Sequence, residues 1–306
     1  MPILSTRRFP GPAWDELRDV EYVDWPLTSP RPGVDALALV NRPVDDGALD
    51  LLPDLRLVAN YGAGYELVNV DACRARGIVV TNTPGAVDAA TADLAFGLLL
   101  AARRRITEGD RYVRAGRWEH GWAGEELMGE EVSGATLGIV GLGGIGRAVA
   151  RRARGFEMRV LYAKRRRLGG DEEAQLGVEH RDLDALLAEA DVVSLHVPLT
   201  AETERLIDAR RLGLLSDGAC LVNTARGAIV DEEALVRELV SGRIRAGLDV
   251  FVHEPQVPEA LFGLPNVVLA PHLGTALRSA REAMTRVLVD NLLAFERGDP
   301  PPNAVT

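Results

Sequence analysis

The sequence predicts an α/β protein of two doubly wound parallel-sheet domains, one inserted into the other, with a cleft between them. Three observations predict it. Short apolar runs alternate with helical stretches along the chain, a glycine-rich turn opens the second half of that alternation, and a helical segment follows the last run. The runs are rich in Val, Leu and Ile and lack polar alternation, which is the pattern of strands buried on both faces of a parallel sheet.

In the first hundred residues, strands are expected at DALALV (Asp35 to Val40), LRLVAN (Leu55 to Asn60) and GIVVTN (Gly77 to Asn82). Between Asp88 and Arg105 an apolar stripe through Leu94, Leu98 and Ala101 ends in basic residues, as a helix C-terminus favours. A long helix therefore leaves the first domain. A loop from Gly116 to Glu131 follows, and ATLGIVG opens a second series. Its later strands are RVLYA (Arg159 to Ala163), DVVSLHV (Asp191 to Val197), ACLVNT (Ala219 to Thr224), AGLDVF (Ala246 to Phe251) and VVLAPH (Val267 to His272). Six parallel strands with helices between them make a doubly wound sheet. The last helix, Ser279 to Glu296, comes after that sheet is complete and returns the chain to the first domain. The domains are then 1–98 with 280–306, and 99–279 between them, with ligand expected in the cleft.

Bulk properties narrow the function. A chain of 306 residues, 47% apolar and 26% charged, buries a full core and suits two domains. A formal charge of −10 argues against nucleic acid as a partner. Cys73 and Cys220 lie far apart, with no CxxC and no histidine neighbour, so neither a disulfide scaffold nor a metal site is expected. The N-terminus has no apolar signal core, and no run reaches the roughly 18 apolar residues of a membrane span. A soluble protein of the cytoplasm is the expectation.

Gly141, Gly143, Gly144, Ile145 and Gly146 lie in the fingerprint GLGGIG, directly after an apolar strand and before the helical pattern RAVARRARGF. The first glycine of such a motif permits a tight turn, the second lets backbone approach a pyrophosphate, and the third lets helix pack on strand. Dinucleotide binding is expected. An NAD site normally places Asp or Glu about 20 residues further on, to hold a ribose hydroxyl. Ala163 stands there instead, followed by Lys164, Arg165 and Arg166. A neutral residue removes repulsion of a 2′-phosphate and a guanidinium grips that phosphate with paired hydrogen bonds, so NADP(H) is the preferred cofactor, with NAD(H) possible. The alternative is a solvated basic turn.

Three further segments sit at the ends of late strands: NTARG (Asn223 to Gly227), DVFVHEP (Asp249 to Pro255) and APHLGT (Ala270 to Thr275). With the fingerprint, their order and spacing resemble the D-isomer-specific 2-hydroxyacid dehydrogenases over nearly the whole chain. ANYGAGYE, GIVVTNTPGAVDAATADLAFGLLLAARR and the basic turn resemble the glyoxylate/hydroxypyruvate reductase branch most. The resemblance implies a Rossmann cofactor domain inserted into a flavodoxin-like substrate domain, and reduction of a small 2-keto acid to the 2-hydroxy acid.

The chemistry fits these residue types. Arg226 supplies a permanently charged fork to clamp a carboxylate and polarise a ketone. His272 is the proton donor, since imidazole alone titrates near working pH. Glu254 matches the family position of the acid that orients that imidazole. His196 and His253 are competing histidines that fall off the proton-donor position. By resemblance, Tyr61, Gly62, Ala63 and Gly64 present backbone N–H groups to the substrate carboxylate, together with Arg226 and His272. Thr91, Pro198, Thr203, Thr224, Ala225, Arg226, Asp249, His272 and Gly274 match cofactor-lining positions, with Asp249 on the nicotinamide carboxamide. Glu66 departs from the family, which commonly has Asp there. A homodimer is implied, with the loop carrying Trp118 and Trp122 as its contact. Phosphoglycerate dehydrogenase and 2-ketogluconate reductase are alternatives within the class, and a nucleotide-sensing, corepressor-like binding protein is the alternative outside it.

Overall fold

The computed structural model describes residues 1–119, 121 and 125–305, which form two compact units, 1–87 with 275–305 and 88–274. The first unit holds five strands: β1 (Ile3–Ser5), β2 (Val20–Tyr22), β3 (Ala36–Leu39), β4 (Leu57–Asn60) and β5 (Val79–Thr81). They pair in the order β2-β1-β3-β4-β5, all parallel, so the unit is a flavodoxin-like doubly wound sheet. β3 and β4 are buried throughout, as their continuous apolar runs require. The helix Arg278–Glu296 belongs to this unit. Tyr61 donates its hydroxyl to the carbonyl of Arg281 at 2.7 Å, and Asn291 donates to Asn82 O at 3.2 Å.

The second unit holds seven strands: β6 (Thr136–Val140), β7 (Arg159–Ala163), β8 (Val178–His180), β9 (Val192–Leu195), β10 (Cys220–Asn223), β11 (Arg245–Leu248) and β12 (Val267–Leu269). Their order is β12-β11-β10-β9-β6-β7-β8, again parallel throughout. One apolar cluster forms around Leu186, Leu221 and Leu248, and another around Leu99, Ile139 and Tyr162. That is the burial of a sheet covered by helices on both faces.

The sequence expectation is corrected in two places. The second sheet has seven strands rather than six, because β8 is a three-residue edge strand, VEH, in which only Val178 is buried. Edge strands carry polar residues and leave a weak apolar signal. The same holds for β2, and β1 is only three residues long. The compact units divide at 87/88 and 274/275, whereas the sequence predicts domain limits at 98/99 and 279/280. The helix Asp88–Arg103 belongs wholly to the second unit, where Ala95, Leu98 and Leu99 share a core with Leu137 and Ile139. Gly247 is flat against it: an added Cβ would lie 2.8 Å from Leu98 Cβ.

The helix stops where Arg105 turns left-handed at φ 53°, and a second helix, Ile106–Arg114, follows. Trp118 is exposed, and Trp122 lies outside the described residues. No helix among the described residues is long and apolar enough to cross a membrane.

Candidate active site

The winding of the second sheet reverses between β6 and β9, so the loops at their carboxyl ends diverge and leave a crevice. The glycine fingerprint sits there. Gly141 has φ 93°, and a Cβ on it would lie 2.5 Å from the carbonyl oxygen of His196 at the end of β9, so only glycine fits. A Cβ on Gly143 would meet nothing within 4 Å, which leaves that face open to a ligand. At Gly146 a side chain would collide with Gly141 O, so the helix Gly144–Ala153 closes tightly on the turn.

A cavity of about 620 Å³ opens from this turn, lined by Gly141, Gly143, Ala163, Lys164, Arg165, Arg166, Pro198 and Thr203 among others. Thr203 donates to Pro198 O at 2.6 Å and accepts from Thr200 N at 2.8 Å, which fixes the far wall. Arg167 is paired with Glu173 at 2.8 Å, and Glu173 also accepts from Tyr162. No salt bridge among the described residues engages Lys164, Arg165 or Arg166. His196 bonds Ser194 Oγ at 2.8 Å, and burial holds its imidazole down at about 4, so it is neutral. Thr224 Oγ1 is buried without a hydrogen-bond partner among the described residues, which suits a site completed by a polar ligand. These residues fit a dinucleotide.

The three catalytic candidates lie on neighbouring loops of the same unit. After β10, Asn223 accepts from Ala225 N at 3.0 Å and donates to Arg226 O at 2.9 Å, shaping the turn that presents Arg226. Arg226 also donates to Ala225 O at 2.6 Å. A Cβ on Gly227 would strike the backbone of Phe251, so the Arg226 turn packs directly on the loop leading to Glu254. Glu254 accepts from Phe251 N at 3.1 Å through Oε1 and pairs with His272 Nδ1 at 2.7 Å through Oε2. With Nδ1 committed to Glu254, Nε2 is the nitrogen left to carry a transferable proton.

His272 adopts a left-handed backbone, φ 54°, which a non-glycine residue keeps only when its surroundings enforce it. Asp249 supplies that enforcement. Its carbonyl accepts from His272 N at 2.9 Å, and its buried carboxylate accepts from Leu273 N at 2.6 Å and Gly274 N at 2.9 Å. Burial pushes the Asp249 carboxyl up, and those two N–H groups offset part of the rise. Thr91 donates to Gly274 O at 3.3 Å, so Thr91, Asp249, His272 and Gly274 form one cluster.

In the first unit, the carbonyls of Gly62, Ala63 and Gly64 are all engaged. Thr83 N and Asn60 Nδ2 donate to Gly62, Asn82 Nδ2 to Ala63 and Asn60 Nδ2 to Gly64. No hydrogen bond among the described residues uses the N–H groups of these three residues, the condition an anion nest requires. Tyr61 contributes a buried ring, stacked on Phe9 at 4.4 Å.

Residues 96–274 match the model of the D-isomer-specific 2-hydroxyacid dehydrogenase NAD-binding domain. The chain belongs to the D-isomer-specific 2-hydroxyacid dehydrogenase family. It is accordingly an NAD(P)-dependent oxidoreductase with a nicotinamide cofactor. It is 50% identical to the glyoxylate reductase of Thermococcus litoralis, over 89% of this chain and 83% of that one. Two solved structures superpose on it. The TT0316 protein of Thermus thermophilus does so with a TM-score of 0.90 and 45% identity, over 100% of both chains. An NADPH-dependent glyoxylate/hydroxypyruvate reductase from Sinorhizobium meliloti, complexed with NADP and malonate, gives 0.90 and 35%, over 100% of this chain and 97% of that one.

Several residues of this dehydrogenase site escape sequence reasoning. His180, Arg181, Asp182 and Leu183 line the cavity beside the glycine turn because β8 ends there, and β8 itself is too polar to read. Glu232 accepts from Val252 N at 3.0 Å and so braces the loop that carries Glu254. Its only sequence signal is its place in an acidic first helical turn after Asp231, which reads as ordinary capping.

Proposed function

We propose that this dehydrogenase reduces glyoxylate or hydroxypyruvate to the corresponding 2-hydroxy acid, preferring NADPH, with His272 as proton donor. The observation that carries the proposal is the 2.7 Å pair between His272 Nδ1 and Glu254 Oε2, held on loops at the carboxyl ends of the fingerprint-bearing sheet. The names of the similar enzymes from Thermococcus and Sinorhizobium support the choice of substrate and cofactor. So does the turn after β7, where Ala163 places no acid and three cations line the cavity.

A nicotinamide cofactor held by the glycine turn and the cavity would supply the hydride for the keto carbon. Arg226 clamps the acid's carboxylate and draws charge onto the ketone oxygen, which is worth most where water is excluded. The N–H groups of Gly62, Ala63 and Gly64 are assigned to carboxylate recognition. His272 protonates the developing alkoxide from Nε2 and is reprotonated from solvent afterwards. Glu254 orients the ring through the hydrogen bond on Nδ1, so that Nε2 faces the reacting oxygen.

The experiment is initial rates at 340 nm with NADPH and NADH in parallel, against glyoxylate, hydroxypyruvate, pyruvate, 2-ketogluconate and phosphohydroxypyruvate. Fast oxidation of NADPH with either of the first two acids is expected. Faster turnover of phosphohydroxypyruvate or 2-ketogluconate would replace the substrate assignment, and silence across the panel would sink the reductase reading.

A further inference from the structure

The helix Asp88–Arg103 begins beside the glycine loop, and its first residue is an acid. Arg152, on the helix Gly144–Ala153, bonds Asp93 at 2.7 Å and the carbonyl of Ala89 at 3.2 Å, so the start of the one helix is pinned against the other. This pinning seats the Asp88 carboxylate on Gly144. A Cβ added to Gly144 would collide with Oδ2, and Oδ1 would be 2.9 Å away. No hydrogen bond or salt bridge among the described residues engages that carboxylate. Burial pushes its carboxyl up, and the Arg151 guanidinium offsets part of the rise.

Gly144 is the fourth residue of GLGGIG and the first of the helix whose N-terminus receives a dinucleotide pyrophosphate. The partial positive charge of that helix end attracts any anion. Asp88 and a pyrophosphate therefore compete for one field, and at this separation they repel.

We propose that Asp88 sets cofactor affinity: it is an anion seated on Gly144 that weakens the hold of the glycine loop on the pyrophosphate. The proposal rests on the dinucleotide reading of that loop. Glycine at position 144 belongs to the same arrangement, because any side chain there needs the space the carboxylate occupies. The pyrophosphate is common to NADPH and NADH, so Asp88 acts on both alike. The basic turn after β7 acts at the other end of the cavity and distinguishes them.

The test is calorimetric titration of the wild type, Asp88→Asn and Asp88→Ser with NADPH, NADH, ADP-ribose and adenosine. Kd is expected to fall by about 3- to 10-fold for the three pyrophosphate ligands, the scale of one like-charge contact near a surface, and to stay unchanged for adenosine. Unchanged or weaker binding in both variants, with Tm preserved, overturns the proposal. If the wild type binds no dinucleotide at all, the reading of the loop fails instead. A second measurement covers a folding defect. Gly144→Ala should lower Tm in the wild type and lower it less in an Asp88→Ala background. An equal loss in both would show that the carboxylate does not sit on residue 144.

Discussion

The backbone and the ring of His272 are each set by a different neighbour. Asp249 holds the left-handed turn and Glu254 holds Nδ1. Replacing the imidazole with an amide removes the proposed proton donor, while the shape of the turn is kept. His272→Gln should therefore lower kcat by about 100- to 10,000-fold, with cofactor Kd changed little. Glu254→Gln keeps an acceptor for Nδ1 but loses the charge that strengthens the bond orienting the ring, so its loss should be smaller, about 10- to 100-fold. Steady-state kinetics with glyoxylate, beside cofactor titration, checks both, and a His272→Gln enzyme with wild-type kcat would remove His272 from the mechanism. Arg226, Glu254 and His272 stood out as candidates because each sits in a motif whose order is informative. Asn223 and Glu232 were not. They act by accepting or donating to backbone groups distant in sequence or around a turn, and no spacing displays that.

At the scale of elements, strands lying in unbroken apolar runs were legible, β5 and β12 at sheet edges among them, and the polar edge strands β2 and β8 were not. β3, β4, β6, β7, β9 and β10 bury nearly every residue and so read as unbroken apolar runs. β2 and β8 lie at sheet edges, where one side of the strand has no neighbour and polar residues are tolerated. Missing β8 also hid the residues that follow it on the cavity wall. The turn after β7 stood out as a candidate because it differs in charge from what an NAD site needs. Its consequence is testable: Arg165→Ala combined with Arg166→Ala removes two cations from the cavity while Arg167 keeps its pair with Glu173. KM for NADPH should rise by about 10- to 100-fold, the loss of one or two charge-assisted phosphate contacts, while KM for NADH changes by less than about 3-fold. Parallel rate measurements with the two cofactors decide it. An equal rise in both values would mean that the turn holds the shape of the cavity rather than a phosphate.

For the molecule as a whole, acid should weaken the fold in two separable stages. His196 is packed against Ser194 and the glycine turn, and burial lowers its imidazole from 6.5 to about 4. The unfolded chain then binds that proton more readily than the folded one. Stability is complete above about 6.5, declines as pH falls, and the loss is complete near 4. The loss is on the order of 1–3 kcal/mol, the upper figure being a ceiling because part of the ring faces the open cavity. Asp184, held by Arg210 and Arg211, and Glu173, held by Arg167 and Tyr162, are each brought down to about 2. What they contribute is present above the ordinary carboxylate range and disappears only as pH falls toward 2. Scanning calorimetry from pH 8 to pH 3 should therefore show Tm falling by several degrees between 6.5 and 4, at about 2–4 °C per kcal/mol for a unit of this size, before the carboxylate stage begins. His196→Gln should flatten the first stage and leave the second. If the variant's Tm fell just as steeply between 6.5 and 4, the acid sensitivity would belong to another group and His196 would be a bystander.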